Sequence, residues 1–261
     1  MKSYLAMLLK RIHKEGSFES IFVLGPQGRG KTTYVTLSLY ALYKDWDEVF
    51  NRYFIMLDDS AIKYLDELVD KRIEDKNFKD YAIFIDDAGV PLQRYKWHDP
   101  LNQWLGDVYT LSRAILSGFI LATLQPEDIL KFFRTKITYR IEVELDPRLP
   151  SYKRVAKIQT PYSYGVDKYK TVYEEVFDLR MLPNHIRDRL EDIKLRTLKK
   201  IMSQRKRMSE EVEKISVEGG QLNLEKLKMY LSKGKYDYDR LIVRTLKYLP
   251  IIKKTLEEIE I

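Results

Sequence analysis

The chain has 261 residues, enough for one large domain or for a domain with an appendage. It contains no cysteine, which excludes disulfides, thiolate catalysis and cysteine-based zinc sites, and the cytoplasm is the expected location. The formal net charge of +7 favours an acidic partner, and nucleic acid is the first candidate. No apolar run approaches the ~20 residues of a membrane span, so we expect no membrane partner.

The first predicted element is an amphipathic helix over residues 3–14, whose leucines recur at helical spacing. An apolar run at Ile21–Leu24 predicts a strand, and the next helix should end near Lys44. A second apolar run, within residues 52–57, predicts a short buried strand. Ser60 then follows two aspartates and is predicted to cap another helix.

The middle of the chain repeats this alternation. Residues 81–89 read as a buried strand that ends in acids, and residues 99–116 as a helix with one apolar face. A strand over 119–123, a helix begun by Pro126 and a strand over 137–145 complete the pattern. Strands separated by helices predict an α/β fold with a five-stranded parallel sheet flanked by helices.

The pattern changes after residue 145. Two alternating segments, 152–159 and 171–179, predict a β-hairpin, and residues 183–215 predict a basic helix. Gly219-Gly220 marks a hinge before a tail of short helices. The predicted organisation is therefore a core at 1–145, a hairpin extension at 146–182 and a basic helical region at 183–261.

The most informative stretch is GPQGRGKTT at Gly25–Thr33, which fits the pattern G-x-x-x-x-G-K-[ST] between a predicted strand and a predicted helix. Glycines let backbone N–H groups surround a triphosphate, and the following helix directs its positive end at it. Lys31 should reach the β- and γ-phosphates, and the Thr32 hydroxyl should coordinate Mg²⁺, so ATP and Mg²⁺ are the expected cofactors. The predicted nucleotide-binding residues are Gly25, Pro26, Gln27, Gly28, Arg29, Gly30, Lys31, Thr32 and Thr33.

Two aspartates end the strand at 81–89, on the sheet edge where ligands bind in open α/β sheets. Asp86 is placed to hold Mg²⁺ through its water shell, and Asp87 to orient the attacking water. The alternative for the pair is a strand-end turn or a helix cap.

Thr123, at the end of the next strand, is placed to contact the water and the γ-phosphate, with Gln125 as a competing candidate. Arginines that stabilise transition-state charge in such sites often come from a neighbouring subunit, so we expect a homo-oligomer, with a hexamer as one candidate. The predicted catalytic residues are Lys31, Asp87 and Thr123, together with one of Arg113, Arg134 and Arg140.

The basic helix is predicted to contact the phosphate backbone of DNA, and the alternative is a solvated face that packs on the core. The predicted DNA contacts are Arg187, Arg189, Lys194, Arg196, Lys199 and Lys200. A guanine-reading Asn-Lys-x-Asp and the transporter signature L-S-G-G-Q are both missing, which argues against a GTPase and a transporter ATPase. The three histidines are scattered and favour neither a metal site nor a catalytic triad.

Three segments together, GPQGRGKTT, IFIDDAG and FILATLQPEDI, resemble the AAA+ ATPases that initiate replication or load helicases. The resemblance implies Walker A roles for Lys31 and Thr32, Walker B roles for Asp86 and Asp87, and a sensor role for Thr123. The composition and the phrase DDAG also resemble small P-loop ATPases of archaeal viruses and plasmids, and the high charge fraction is typical of thermophiles.

A replication initiator or helicase loader is therefore the favoured function, with a replication or packaging protein as a possible further partner. AAA+ proteins follow their core with a helical lid, whereas a β-hairpin is predicted here, so a translocase or genome-packaging motor of the FtsK/HerA type stays open. A third hypothesis is an assembly scaffold that ATP controls with little turnover.

Overall fold

A computed structural model describes residues 3–55, 59–89, 109–129, 131–162, 169–218 and 221–222. The described residues up to Lys194 belong to one compact unit, and those from Leu195 onward belong to a second. The predicted hinge, most of the tail and much of the helix predicted at 99–116 lie outside the described residues.

The first unit is built on one sheet of seven strands. The strands are β1 (Glu19–Leu24), β2 (Tyr53–Phe54), β3 (Asp80–Ile85), β4 (Leu116–Thr123), β5 (Tyr139–Glu144), β6 (Lys153–Pro161) and β7 (Tyr169–Asp178). Their order across the sheet is β2-β3-β4-β1-β5-β6-β7. The pairs among β1 to β5 are parallel, whereas β6 pairs antiparallel with both β5 and β7. The α/β fold with a five-stranded parallel sheet is confirmed, and the predicted hairpin continues this sheet across the boundary expected at residue 145.

The helices precede, connect or follow the strands of this sheet. They are α1 (Tyr4–Lys14), α2 (Lys31–Tyr43), α3 (Trp46–Asn51), α4 (Asp59–Glu74), α5 (Lys131–Arg134) and α6 (Asn184–Ser216). Short 3₁₀ turns cover Pro126–Asp128 and Leu179–Met181, and the two-residue strands β8 (Val217–Glu218) and β9 (Gln221–Leu222) pair after α6. Within the part of the chain described, no helix combines the length and apolar character that crossing a membrane requires.

Two boundaries differ from the sequence prediction. Helix α4 begins at Asp59, so Ser60 lies in its first turn instead of capping it. Leu116 starts β4 instead of ending a helix, and all eight residues of β4 are buried. The polar Ser117 is accommodated because its hydroxyl lies 3.1 Å from Nδ1 of His13. Burial on both faces therefore extends this strand beyond what the apolar pattern alone indicated.

Both faces of the sheet are covered by apolar clusters. On one face, α1, α2 and the start of α6 pack against alternate strand residues such as Ile21 and Val23. On the other face, Phe22 and Leu24 pack with α4 and with the aromatic side chain of Phe133. Strand β1 is thus buried on both sides, which holds the glycine-rich loop that follows it at the carboxyl edge of the sheet.

Candidate nucleotide-binding site

The glycine-rich loop joins β1 directly to α2, as its sequence predicts. Gly30 precedes the first residue of α2 and has φ of +95°, a conformation that glycine adopts without strain. A glycine in this position offers no side chain to cap the first N–H groups of α2. These N–H groups and the positive end of the helix dipole suit an anion such as a phosphate.

Lys31 is buried at the start of α2. Its ammonium donates to the carbonyl oxygens of Gly25, at 2.7 Å, and of Pro26, at 3.1 Å. Burial lowers the pKa of Lys31, while the negative charges of Asp87 and Asp86 oppose that shift. A buried cation lying across its own phosphate loop is consistent with the predicted role of Lys31.

Asp86 follows β3 and is only 1% exposed. One of its oxygens, Oδ2, accepts a hydrogen bond from the Thr32 hydroxyl at 2.8 Å and another from the Tyr53 hydroxyl at 2.9 Å. The ammonium of Lys194 lies 2.9 Å from the same oxygen. Burial raises the pKa of Tyr53, and the nearby Asp86 charge raises it further, so this hydroxyl stays a hydrogen-bond donor.

The residues around Asp86 fit the predicted magnesium ion. Hydroxyl and carboxylate oxygens are the hard donors that Mg²⁺ prefers, and an ammonium already occupies a cation position beside Asp86. The residues that would hold the ion are Thr32 and Asp86. Across the described ranges no group of three or more acidic, histidine or cysteine side chains is assembled, so water and phosphate oxygens would supply the remaining ligands.

Asp87 differs from its neighbour in both conformation and exposure. Its φ of +48° is unusual for a residue with a side chain, although aspartate tolerates this region better than most. Its side chain is 46% exposed, and Oδ2 lies 3.1 Å from the ammonium of Lys194. The positive φ turns the chain after β3, so that the next amide, of Ala88, donates to the carbonyl of Ala122 on β4 at 2.7 Å. The Asp86 carboxylate is therefore buried against Thr32, whereas the Asp87 carboxylate is half-exposed to solvent.

Thr123 is the last residue of β4. Strand β4 runs between β1 and β3, and Thr123 pairs in register with Leu24, the residue before the loop. Its buried hydroxyl donates to the carbonyl of Gln125 at 3.2 Å, and the Gln125 residue itself is exposed. The same edge of the sheet thus carries the glycine-rich loop, the buried Asp86 carboxylate and Thr123. The chain therefore has an α/β core that carries a glycine-rich loop at the carboxyl edge of its parallel strands.

The three candidate arginines are not brought to this edge. Arg113 is exposed and comes three residues before β4, at the amino end of a strand whose carboxyl end carries Thr123. Arg134 ends α5, five residues before β5 begins. Arg140 lies within β5, where it forms an ion pair with Glu142. Arg113 is therefore at the edge of the sheet opposite the loop of its own chain, and a role in a neighbouring subunit stays a prediction.

The predicted DNA contacts lie in different surroundings. Arg187 donates to the carbonyl of Leu179 at 3.3 Å, and Arg189 pairs with Asp47 at 2.6 Å. The exposed residues among the predicted set that lie in the second unit are Arg196, Lys199 and Lys200.

Lys194 was expected on DNA and instead faces the two carboxylates. Ile186 and Leu190 pack on the sheet and hold the first turns of α6 there. Burial works to lower the pKa of Lys194, but Asp86 and Asp87 outweigh it and raise that pKa. Sequence reasoning also missed Tyr53. No local motif marks either residue, and only the apolar spacing of α6 could have indicated which side of the helix meets the core.

Comparison with known proteins gives one related sequence and several similar folds. No protein-family model matches the chain. Protein B-251 of Sulfolobus spindle-shape virus 1 is 33% identical over 159 residues, which cover 59% of this chain and 63% of that protein. The matched part thus spans less than two thirds of this relative's length.

Three solved structures illustrate the similar folds. The N-terminal domain of zonular occludens toxin from Neisseria meningitidis has a TM-score of 0.37 at 14% identity, over 62% of this chain and 94% of that one. The genome packaging NTPase B204 from Sulfolobus turreted icosahedral virus 2, in complex with AMPPCP, has a TM-score of 0.36 at 13% identity, over 59% and 96%. The flagellar accessory protein FlaH from Methanocaldococcus jannaschii has a TM-score of 0.36 at 19% identity, over 66% and 90%.

Proposed function

We propose that the chain binds ATP with Mg²⁺ and hydrolyses it. The observation that carries this proposal is the 2.8 Å hydrogen bond from the Thr32 hydroxyl to Asp86, which joins two motifs 54 residues apart. A glycine turn with a purely structural role would not require a buried carboxylate on the threonine that follows its lysine. A phosphate-binding loop accounts for this contact, because its hydroxyl and the carboxylate would serve one metal ion.

Each residue then has a defined task. The loop N–H groups and Lys31 would bind the phosphates, and Thr32 and Asp86 would hold Mg²⁺, which would neutralise charge on the phosphates. Asp87 is open to solvent beside this centre, and it would accept a proton from the attacking water or orient that water. Thr123 would donate to the γ-phosphate or position the same water.

Measured ATP turnover and nucleotide affinity test these roles. Lys31→Ala should abolish ATP binding or hydrolysis. Asp87→Asn should keep ATP affinity while turnover falls by about 10²-fold or more, since a positioned base typically contributes that much. Asparagine tolerates positive φ, so this substitution keeps the backbone. Asp66→Asn, at an exposed position of α4, is the matched control and should be fully active. Full activity of Asp87→Asn would remove that residue from the mechanism.

We further propose that the ATPase acts on DNA as a homo-oligomer. The support is the excess of positive charge and the exposed basic positions Arg196, Lys199 and Lys200. Replacing these three by glutamine should lower DNA affinity at every sequence and reduce the slope of log K against log salt by about 0.9 per lost phosphate contact. Lys76→Gln, exposed and in the first unit, is the control. An unchanged slope would argue for a solvated helix face instead.

The resemblance favours a replication initiator or helicase loader, but one structural feature favours a second candidate. Strands β6 and β7 extend the sheet after β5, where AAA+ proteins have a helical lid. This architecture suits a DNA translocase or genome-packaging motor, and movement along duplex DNA coupled to ATP hydrolysis would distinguish it from a loader. ATP-dependent assembly without turnover, with or without DNA, would instead indicate a scaffold.

A further inference from the structure

Lys194 is the one cation that contacts both carboxylates of the site in the described part of the chain. Its ammonium lies 2.9 Å from Oδ2 of Asp86 and 3.1 Å from Oδ2 of Asp87. The Thr32 hydroxyl donates to the same Asp86 oxygen. Lys194 therefore occupies space around the atom that the proposed magnesium ion needs.

The position of Lys194 is held by the rest of α6. Leu190 and Ile186 are buried one and two turns earlier, respectively. Arg189 adds a contact on another side of the helix, because it pairs with Asp47 and its guanidinium lies 3.9 Å above the ring of Phe50. These anchors place Lys194 at the carboxylates.

The charge balance of the site explains why an internal cation is needed. A carboxylate that is 1% exposed is costly to keep ionised unless a cation or several donors compensate it. Lys194 lies close enough to Asp86 to supply that compensation. A metal ion at Asp86 would supply the same charge, and the two cations would compete for one oxygen.

We propose that Lys194 is an internal counter-ion that closes the Asp86–Asp87 pair in the nucleotide-free protein and is displaced when Mg²⁺ and nucleotide bind. This inference rests on the proposed nucleotide function and adds a regulatory contact to it. Displacement releases the turn of α6 that carries Lys194, so occupancy of the site changes the contacts of that helix. The affinity of the wild-type protein for magnesium nucleotide is correspondingly reduced by the closed state.

Nucleotide affinity with and without Mg²⁺ tests the proposal. A fluorescent non-hydrolysable ATP analogue is titrated into the wild-type protein and into the variants Lys194→Met and Lys10→Met. The second variant is the control, because Lys10 is an exposed residue in the middle of α1. If the closed state is populated about ten to one, Lys194→Met should bind the analogue with Mg²⁺ about tenfold more tightly than wild type. Affinity without Mg²⁺ should change far less, and Lys10→Met should match wild type throughout.

Two results of this titration would refute different claims. Equal or weaker magnesium-dependent binding by folded Lys194→Met overturns the displacement mechanism, and weaker binding would make Lys194 a phosphate ligand. No binding of the analogue by the wild-type protein would instead refute the proposed nucleotide function itself.

Acetylation of lysines in the wild-type protein provides a test that needs no variant to fold. Mass spectrometry compares the acetylation rate of Lys194 with that of Lys10, before and after addition of Mg²⁺ and the analogue. We expect the rate at Lys194 to rise relative to Lys10, because the released amine loses both carboxylate partners. An unchanged or lower rate would show that the amine stays bound, and would overturn the proposal.

Discussion

Substitution of Gly30 by alanine tests whether the glycine-rich loop is packed against the segment that follows β7. A Cβ atom at Gly30 would lie 2.6 Å from Cδ2 of Leu179 and 3.6 Å from Cζ of Phe177. Gly28 in the same loop also has positive φ, but a Cβ there would meet nothing within 4 Å. The two alanine variants therefore share the backbone strain and differ in the steric contact.

The expected magnitudes follow from this difference. Positive φ costs a residue with a Cβ about 1–2 kcal/mol, which is the full expected loss of unfolding free energy for Gly28→Ala. Crowding a packed contact adds about 1–3 kcal/mol, so Gly30→Ala should lose about 2–5 kcal/mol. Each kcal/mol should lower Tm by roughly 2–4 °C in a domain of this size.

Chemical unfolding without nucleotide measures the effect, because bound ligand would add its own stabilisation. The contact partner is a flexible side-chain end, so Leu179→Ala should recover the steric part in the double variant with Gly30→Ala. The expected coupling free energy is about 1–3 kcal/mol. Additive effects in the double variant, or equal losses for Gly28→Ala and Gly30→Ala, would refute this packing.

Two further predictions concern buried polar groups. Tyr53→Phe removes a hydrogen bond to the Asp86 carboxylate. In denaturant titrations this change should lower the unfolding free energy by about 1.5–3 kcal/mol. An unchanged unfolding free energy would mean that this hydrogen bond is not formed. Burial raises the pKa of Glu175, although hydrogen bonds from Tyr34 and the Tyr4 amide oppose the shift. Folding thus favours the protonated form of Glu175. The stability of the wild-type protein relative to Glu175→Gln should be greatest below the unfolded pKa of about 4.3, and it should fall as pH rises through the folded pKa. A relative stability that rises over that window would contradict this sign.

The central parts of the site could be predicted because they depend on short-range pattern. The loop at Gly25–Thr33 needs only an apolar strand before it and a helix after it, and both are evident in the local sequence. Asp86 and Thr123 each end an apolar strand, and parallel strands bring their carboxyl ends to one edge. The parallel sheet followed from the alternation of strand and helix in the same way.

The parts that could not be predicted depend on contacts between distant segments. The sequence indicated a hairpin after residue 145, but hydrogen bonds between β5 and β6 make it part of the sheet. Arg113 is close in sequence to the strand that ends at Thr123, yet the direction of β4 places it at the opposite edge. The short sequence separation between Arg113 and Thr123 therefore did not indicate how far Arg113 lies from the proposed phosphate site.

By itself, the sequence determined that this protein has a glycine-rich loop between a strand and a helix, a pair of carboxylates at a strand end and a parallel α/β sheet, because each depends on neighbouring residues and on strand direction. Only the tertiary structure decided that Lys194 and Tyr53 meet Asp86. Lys194 is 108 residues from that carboxylate and Tyr53 is 33 residues away, and the packing of α6 and the pairing of β2 with β3 bring them there. A buried charge needs partners, but nothing in the local sequence specifies which distant side chains provide them.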